Sequence, residues 1–279
     1  MEMMPVMLLR DGKCRALTFS YDDGTIHDRK LVSLMNEYGM KATFNLNSGL
    51  FGKEEQKIIN GIDTDFSRIK EEEVKTLYEG HEVASHTLTH PSLTAIPEEM
   101  GIREILKDRE KLEELTGQRV TGFAYPYGTY NDAVEELLEG CGISYARTVA
   151  GTENFELPQD FLEWHPTCHH EAPKLMELAE NFCQRESWES EVFYVWGHSY
   201  EFSQKNNWQL IENLFRYMQP YRDKIWFATN GEIADYVTDF RKLELSSDGK
   251  ILYNPTDRDL WYGMRAEICC IHAGERQVL

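Results

Sequence analysis

The sequence has no C-x-x-C pair among its six cysteines, Cys14, Cys141, Cys168, Cys183, Cys269 and Cys270. A chain of 279 residues needs no disulfide staples, so reduced thiols are the simplest reading. No stretch approaches the roughly 20 apolar residues of a membrane-spanning helix, because Arg, Asp or Glu interrupts every hydrophobic run. Positive charge is scarce. Lys and Arg total 29 against 48 Asp and Glu, a formal net charge of −19 that opposes binding to phosphate backbones and anionic lipid surfaces. Neither nucleic acid nor membrane is therefore expected as a partner. The run from Met1 to Ser20 has no basic leader, no sustained apolar region and no small-residue cleavage site, and so reads as the start of a cytoplasmic chain. Internal repeats and low-complexity segments are also missing, and nothing in the sequence specifies an oligomeric state.

What is present is 41% hydrophobic and 12% aromatic content, enough for one large core or two modest ones, with a single domain as the default. Short runs rich in β-branched and aromatic residues alternate with longer amphipathic stretches, the pattern of repeated β-α units around a parallel sheet. Strands are predicted at Arg15 to Ser20, Ala42 to Leu46, Glu82 to Ser85, Val120 to Ala124, Ser144 to Thr148, Val192 to Trp196 and Ile225 to Thr229, with a weak one at Leu162 to Trp164. Helices fill the gaps at Asp28 to Tyr38, Lys70 to Tyr78, Pro97 to Leu115, Asn131 to Leu138, Ala172 to Arg185, Trp208 to Tyr221 and Glu232 to Phe240. Several stop at a glycine, such as Gly39 or Gly117, where positive φ ends a helix at low cost. This spacing suits a barrel over residues 1–241, and the change of pattern at Lys242 marks a short β extension over 242–279 packed on it.

Four constellations can carry chemistry. Leu17 to Gly24 is an apolar strand ending in Asp22, Asp23 and a glycine, and both carboxylates reach one site only where the strand breaks. Alone, Asp-Asp-Gly is more simply a turn at a loop tip. Gly80 to Pro91 ends in His86 and His90, four apart, so that a single helical turn would stack both imidazoles for a metal, although the pair could also be accidental. Pro91 limits any helix there to one turn. Gly122 to Gly128 carries Tyr125-Pro126-Tyr127-Gly128, and Val195 to Ser199 carries His198 at the end of a strongly apolar strand. Each lies at the carboxyl end of a strand, where a barrel collects its functional residues. His198 taken singly is the ordinary buried histidine with a local partner.

In this order the four resemble the NodB-homology polysaccharide deacetylases, carbohydrate esterase family four, over about Arg15 to Tyr236. The family's Asp-Asp motif is matched by Asp22 and Asp23, and its His-x-x-x-His by His86 and His90. Its aromatic-Pro-aromatic-Gly turn is matched by Tyr125 to Gly128, and its late strand ending in histidine by Val192 to His198. Two positions depart. The arginine that braces the catalytic aspartate in the family falls at Ala124, and the acid and tryptophan usually found beside the histidine have Glu163-Trp164 as nearest candidates.

The resemblance implies a deformed (β/α)7 barrel with a divalent metal, zinc ahead of cobalt or nickel, on Asp23, His86 and His90. It implies Asp22 as general base, the Tyr127 backbone amide as oxyanion donor and His198 as general acid. The substrate implied is an N-acetylated saccharide cut at a C–N bond that is not a peptide bond. Loss of the bracing arginine keeps open an allantoinase-like hydrolase of small amides or imides, and a catalytically silent carbohydrate-binding protein on the same barrel. A structural metal on His165, Cys168 and His169 is a further alternative, disfavoured by Pro166 and the tight spacing.

Overall fold

The computed structural model describes residues 4–185 and 187–279. Eight parallel strands form the main sheet: β1 (Arg15–Asp22), β2 (Thr43–Leu46), β3 (Glu82–Ser85), β4 (Gly122–Ala124), β5 (Tyr145–Arg147), β6 (Cys168–His169), β7 (Glu191–His198) and β8 (Ile225–Phe227). Their spatial order is β5-β4-β3-β2-β1-β7-β6, and β8 joins the first half of β1. Arg15 to Leu17 pair with β8 while Ser20 to Asp22 pair with β2, so one edge of β1 serves two neighbours. Between β5 and β6 the sheet curls shut through a single parallel bridge, Arg147 to Trp164. This is the deformed (β/α)7 barrel with added C-terminal strands.

Strand alternation sorts β1 into two faces. Leu17, Phe19 and Tyr21 point out into the largest apolar cluster, where Phe19 meets Phe215 of the helix Gln209–Met218 edge-on at 5.2 Å. Thr18, Ser20 and Asp22 point inward, where side chains are hydrogen-bonded to one another. Thr18 donates to Asn230 (2.7 Å), Asn45 to Ser20 (2.8 Å), and Thr43 and Tyr145 to Glu82 (2.7 and 2.9 Å). Burying these groups is tolerable because each finds a partner.

The predicted helices and strands appear within a few residues, with two exceptions. Lys70 to Tyr78 is a 3₁₀ turn, Glu71–Glu73, followed by one α turn, Val74–Leu77. The weak strand at Leu162 to Trp164 is a 3₁₀ turn, Phe161–Glu163, ending in the closing bridge. An unpredicted hairpin, Gln56–Ile59 with Ile62–Asp65, stands between β2 and β3. Its Asn60-Gly61 turn has φ of 52° and 81°, the left-handed pair that Asn-Gly favours.

Beyond residue 241, strands Glu244–Leu245, Ile251–Tyr253 and Arg276–Val278 form one small sheet. Leu260–Met264 and Glu267–Ile271 form another with the N-terminal strand Val6–Leu8. Leu252, Leu260, Tyr262 and Ile271 share an apolar cluster with Ala16, Val192, Tyr194 and Tyr236 of the barrel. All six cysteines are unpaired, and no helix among the described residues is long and apolar enough to cross a membrane.

Asp28, the first residue of the helix Asp28–Tyr38, is fully buried and accepts hydrogen bonds from Ser199 and from the Tyr78 hydroxyl (2.6 Å). Burial lifts its pKa to about 7 despite those bonds. The folded value thus lies above the unfolded one, about 3.9, so the native state keeps a proton that the unfolded chain releases. Stability from this group therefore falls as pH rises from about 4 to about 7 and is level above. Asp28→Asn should gain on the wild type across that window, by up to about 1.4 kcal/mol per pH unit, in urea denaturation at stepped pH. A pH-independent difference would mean that Asp28 is ionised in the fold.

Candidate active site

At the carboxyl end of the barrel, Asp22, Asp23, His86, His90, Tyr127 and His198 line one open cleft of about 690 Å³. The six sequence-predicted residues are brought together there. Asp22 is the last residue of β1, and the chain then turns through Asp23 (φ 80°) and Gly24 (φ 59°), which lets both acids reach the same space. A non-glycine residue with positive φ is uncommon, and such strain collects at functional sites. His86 and His90 are not on a helical turn as predicted. Thr87 (φ 66°) and His90 (φ 65°) bend the segment instead, with the two rings 4.7 Å apart, because Pro91 disfavours helical geometry before it. Tyr127 also has positive φ (59°), and its ring meets His90 edge-on at 4.6 Å.

Ligand atoms of Asp23, His86 and His90 lie within 4.8 Å of one another, a spacing that suits a divalent metal. Two further observations fit such an ion. The His86 Nδ1–H donates to the Ala124 carbonyl (2.7 Å), which leaves Nε2 as the free lone pair facing Asp22 and the cleft. Asp23 Oδ1 is buried without a hydrogen bond: Arg68 Nη1 is 3.0 Å away but donates to the Asp23 backbone carbonyl. Below the site, buried Asp108 accepts from Ser85 Oγ (2.6 Å), Ser48 Oγ (2.6 Å), the Ser48 amide (2.7 Å) and the His86 amide (3.3 Å), fixing the backbone that carries His86.

Asp22 has no water-facing surface to speak of, being 3% exposed. Burial raises its pKa, yet Arg147, His86 and His198 together hold it below the usual carboxylate range. Arg147 is fully buried, donates from Nη2 to Asp22 Oδ2, and lies 4.4 Å over the Trp196 ring. Asn45 donates to the other oxygen, Oδ1 (2.8 Å). The arginine absent at Ala124 is thus supplied by the next strand. Ala124 of β4 and Arg147 of β5 are direct partners in the parallel ladder, so the side chain reaches the same aspartate from one stave over.

The acid and tryptophan beside His198 are Glu201 and Trp196, not Glu163 and Trp164. Glu163 bonds the Tyr130 hydroxyl (2.5 Å), and Trp164 is buried against Tyr194. Glu201 Oε2 accepts from the His198 amide (2.9 Å) and lies 3.3 Å from His198 Nδ1. His169 Nε2 (3.1 Å) and His170 Nε2 (3.4 Å) converge on the same oxygen. Gly197 makes room for this cluster, since a Cβ there would sit 2.0 Å from His170 Nδ1. Burial disfavours the His198 imidazolium, but Glu201, Asp23 and Asp22 lift its pKa to about 9. His198 Nε2 faces the acids, 3.9 Å from Asp22 Oδ2 and 3.9 Å from Asp23 Oδ2.

The structural metal considered on His165, Cys168 and His169 is not assembled. His165 bonds Thr148 (2.6 Å), Cys168 is buried in the core and His169 turns to Glu201.

Two outcomes follow. His86→Ala and His90→Ala should each remove most of about one bound divalent metal per chain, by metal analysis after gel filtration. Unchanged occupancy in both would dismiss this site. Arg147→Ala leaves a buried carboxylate unpaired and should cost about 3 to 5 kcal/mol of stability. Adding Ala124→Arg should recover part of that loss in chemical denaturation, and no recovery would show that the two positions are not equivalent.

Comparison with known proteins agrees with this geometry. Residues 10–146 match the family model for polysaccharide deacetylase, a segment that holds Asp22, Asp23, His86 and His90 and stops one residue short of Arg147. The chain is 27% identical over 142 residues to a probable peptidoglycan-N-acetylglucosamine deacetylase of Arthroderma benhamiae, covering 50% of this chain and 30% of that protein. It is 29% identical over 113 residues to the peptidoglycan-N-acetylglucosamine deacetylase of Bacillus cereus, covering 40% and 36%. A gellan lyase of a Bacillus species is 24% identical over 288 residues, 91% of this chain but 11% of that protein. The chain thus spans well under half of these relatives. In fold, a putative polysaccharide deacetylase from Mycobacterium smegmatis superposes with a TM-score of 0.63 at 17% identity, over 86% of this chain and 96% of the other. Sequence match, barrel and site residues agree, and the chain belongs to the polysaccharide deacetylase family.

Proposed function

We propose that the chain is a metal-dependent hydrolase that removes the acetyl group from an N-acetylated sugar or oligosaccharide. One observation carries this reading: a single cleft joins a three-residue metal set to a separately held carboxylate, Asp22, and a histidine, His198, across from it. Two imidazoles and one carboxylate are a donor set that suits zinc, which we assign ahead of cobalt or nickel. Such a cation supplies Lewis-acid polarisation of an acyl carbonyl and lowers the pKa of a bound water to about 7.

The division of labour between the adjacent acids follows from their partners. Asp23 is the metal residue. Asp22 is held by Arg147 and Asn45 from behind, which keeps it ionised and oriented, and its remaining lone pairs take the proton of the attacking water. The Tyr127 backbone amide, in the turn after Pro126, donates to the developing oxyanion. As the C–N bond breaks, the nitrogen must gain a proton, and His198 delivers it from Nε2 while Glu201 holds Nδ1. One ground for the small-amide alternative was Ala124, and Arg147 removes that ground. Six unpaired thiols suit a reducing compartment, and we assign the cytoplasm.

His198 separates hydrolase from binding protein. An amine leaves only when protonated, whereas the leaving group of an activated ester does not need a proton. His198→Ala should lower acetate release from N-acetylated oligosaccharides by about 10² to 10⁴ while sparing much of the activated acetyl esterase activity. Equal losses on both would assign His198 to oxyanion binding or structure. If zinc-, cobalt- and nickel-loaded wild type all cleave neither substrate, the silent binding protein is the better reading.

A further inference from the structure

One wall of the cleft carries, apart from Arg68 beside Asp23, none of the residues used in the chemistry above. It comes from residues 53–68, the hairpin between β2 and β3 with its flanks. Strand alternation turns Lys57 and Ile59 toward the cleft and leaves Gln56 and Ile58 outside, Ile58 being 81% exposed. Lys53, Glu55, Phe66 and Arg68 complete the wall. Two ammonium groups share one carboxylate here, Lys53 at 3.2 Å and Lys57 at 3.4 Å from Glu55. Phe66 holds two cations over its ring, with Lys57 Nζ 3.9 Å and Arg68 Cζ 4.5 Å from its centroid. Arg68 is 5% exposed, and its Nε has no partner among the described residues.

The segment also carries Glu54, Glu55, Asp63 and Asp65, but of these acids only Glu55 lines the cleft, so the face turned to the cleft is basic in a chain of net charge −19. On this wall Arg68 is matched by Asp23, as Asp22 is matched by Arg147 from beneath, which leaves Lys53 and Lys57 against the single carboxylate of Glu55, one positive charge in excess. A basic wall focused in a cleft of an acidic protein raises the local concentration of anions and repels cations. Lysine ammonium groups on flexible stems provide point-charge recognition for a carboxylate that is presented in more than one orientation. Phe66 and Ile59 add an apolar surface for the face of a sugar ring.

The hairpin is also fixed in place. Gln204, at the end of the short helix that follows His198, donates to the Ile59 carbonyl (2.9 Å) and to Thr64 Oγ1 (2.7 Å), and His27 bonds the Asp65 carbonyl (2.8 Å). Phe66 meets Tyr200 edge-on at 5.0 Å. The cationic wall is therefore held at a set distance from His198 instead of waving in solvent.

We propose that residues 53–68 form an anion-accepting subsite for a carboxylate-bearing sugar unit beside the acetamido group that is hydrolysed. The preferred substrate is then an acidic N-acetylated saccharide, an inference that rests on the deacetylase reading. Its test is calorimetric titration of the full chain carrying Asp22→Asn with zinc. The two probes are a tetrasaccharide of alternating glucuronate and N-acetylglucosamine, and the neutral N-acetylglucosamine tetramer. The acidic probe should bind about tenfold more tightly at low salt, and that ratio should shrink at 0.5 M NaCl. Lys53→Gln with Lys57→Gln should bring the ratio close to one, and both residues are exposed enough that the fold should tolerate the changes. Equal affinities, a preference for the neutral probe, no binding of either at millimolar concentration, or a ratio indifferent to the double substitution each overturn the subsite. Selective binding of the acidic probe by a chain whose wild type releases no acetate from it would retain the subsite and dismiss the deacetylase.

Discussion

A carboxylate almost wholly buried at the top of a barrel must be compensated, and the arrangement around Asp22 follows from that requirement. Its two oxygens are met by Arg147 and Asn45, which come from strands on opposite sides of the curled sheet. An uncompensated charge at this depth would neutralise or unfold its surroundings. The arginine is in turn held by the Thr148 carbonyl (3.1 Å) and by the Trp196 face, so it cannot follow solvent away from the acid. Strand closure at Arg147 and Trp164 thus serves both architecture and electrostatics.

The rest of the barrel interior has the same character. Thr18, Ser20, Asn45, Tyr145, Tyr194 and Asn230 are buried polar residues whose hydrogen bonds run from Glu82 toward Asp22. A hydrogen-bonded network of this kind specifies one arrangement of staves, since slipping any strand by one residue would turn its polar row outward. The backbone strain at Asp23, Thr87, His90 and Tyr127 sits on top of this rigid column. Left-handed geometry at several neighbouring non-glycine positions persists only where the surroundings over-determine it.

Much of this was legible along the chain. The parallel strands announced themselves as apolar runs, and Asp22, Asp23, His86, His90 and His198 stood out because polar residues end those runs. The expected helical turn under His86 and His90 failed because periodicity says nothing about a segment strained by Pro91 and two positive φ values. The hairpin had a readable signal in Asn60-Gly61, but its flanks, Gln56–Ile59 and Ile62–Asp65, are too polar for a hydrophobic-pattern reading. Glu201 was hidden for another reason. It lies three residues after His198, on the helix that caps the strand, whereas the candidate acid legible along the chain, Glu163, precedes the histidine.

Arg147 was invisible to a linear reading because its function is defined across the ladder and not along the chain. Opposite Ala124 in register, it delivers a guanidinium to the same point in space from a position 23 residues later. Two staves of a parallel sheet are interchangeable mounts for any side chain long enough to span their separation of about 4.8 Å. A motif scored residue by residue would class such a chain as inactivated, although its charge balance is whole. Sorting working enzymes from decayed ones on this barrel therefore requires counting charges per layer of the sheet, whichever strand supplies them.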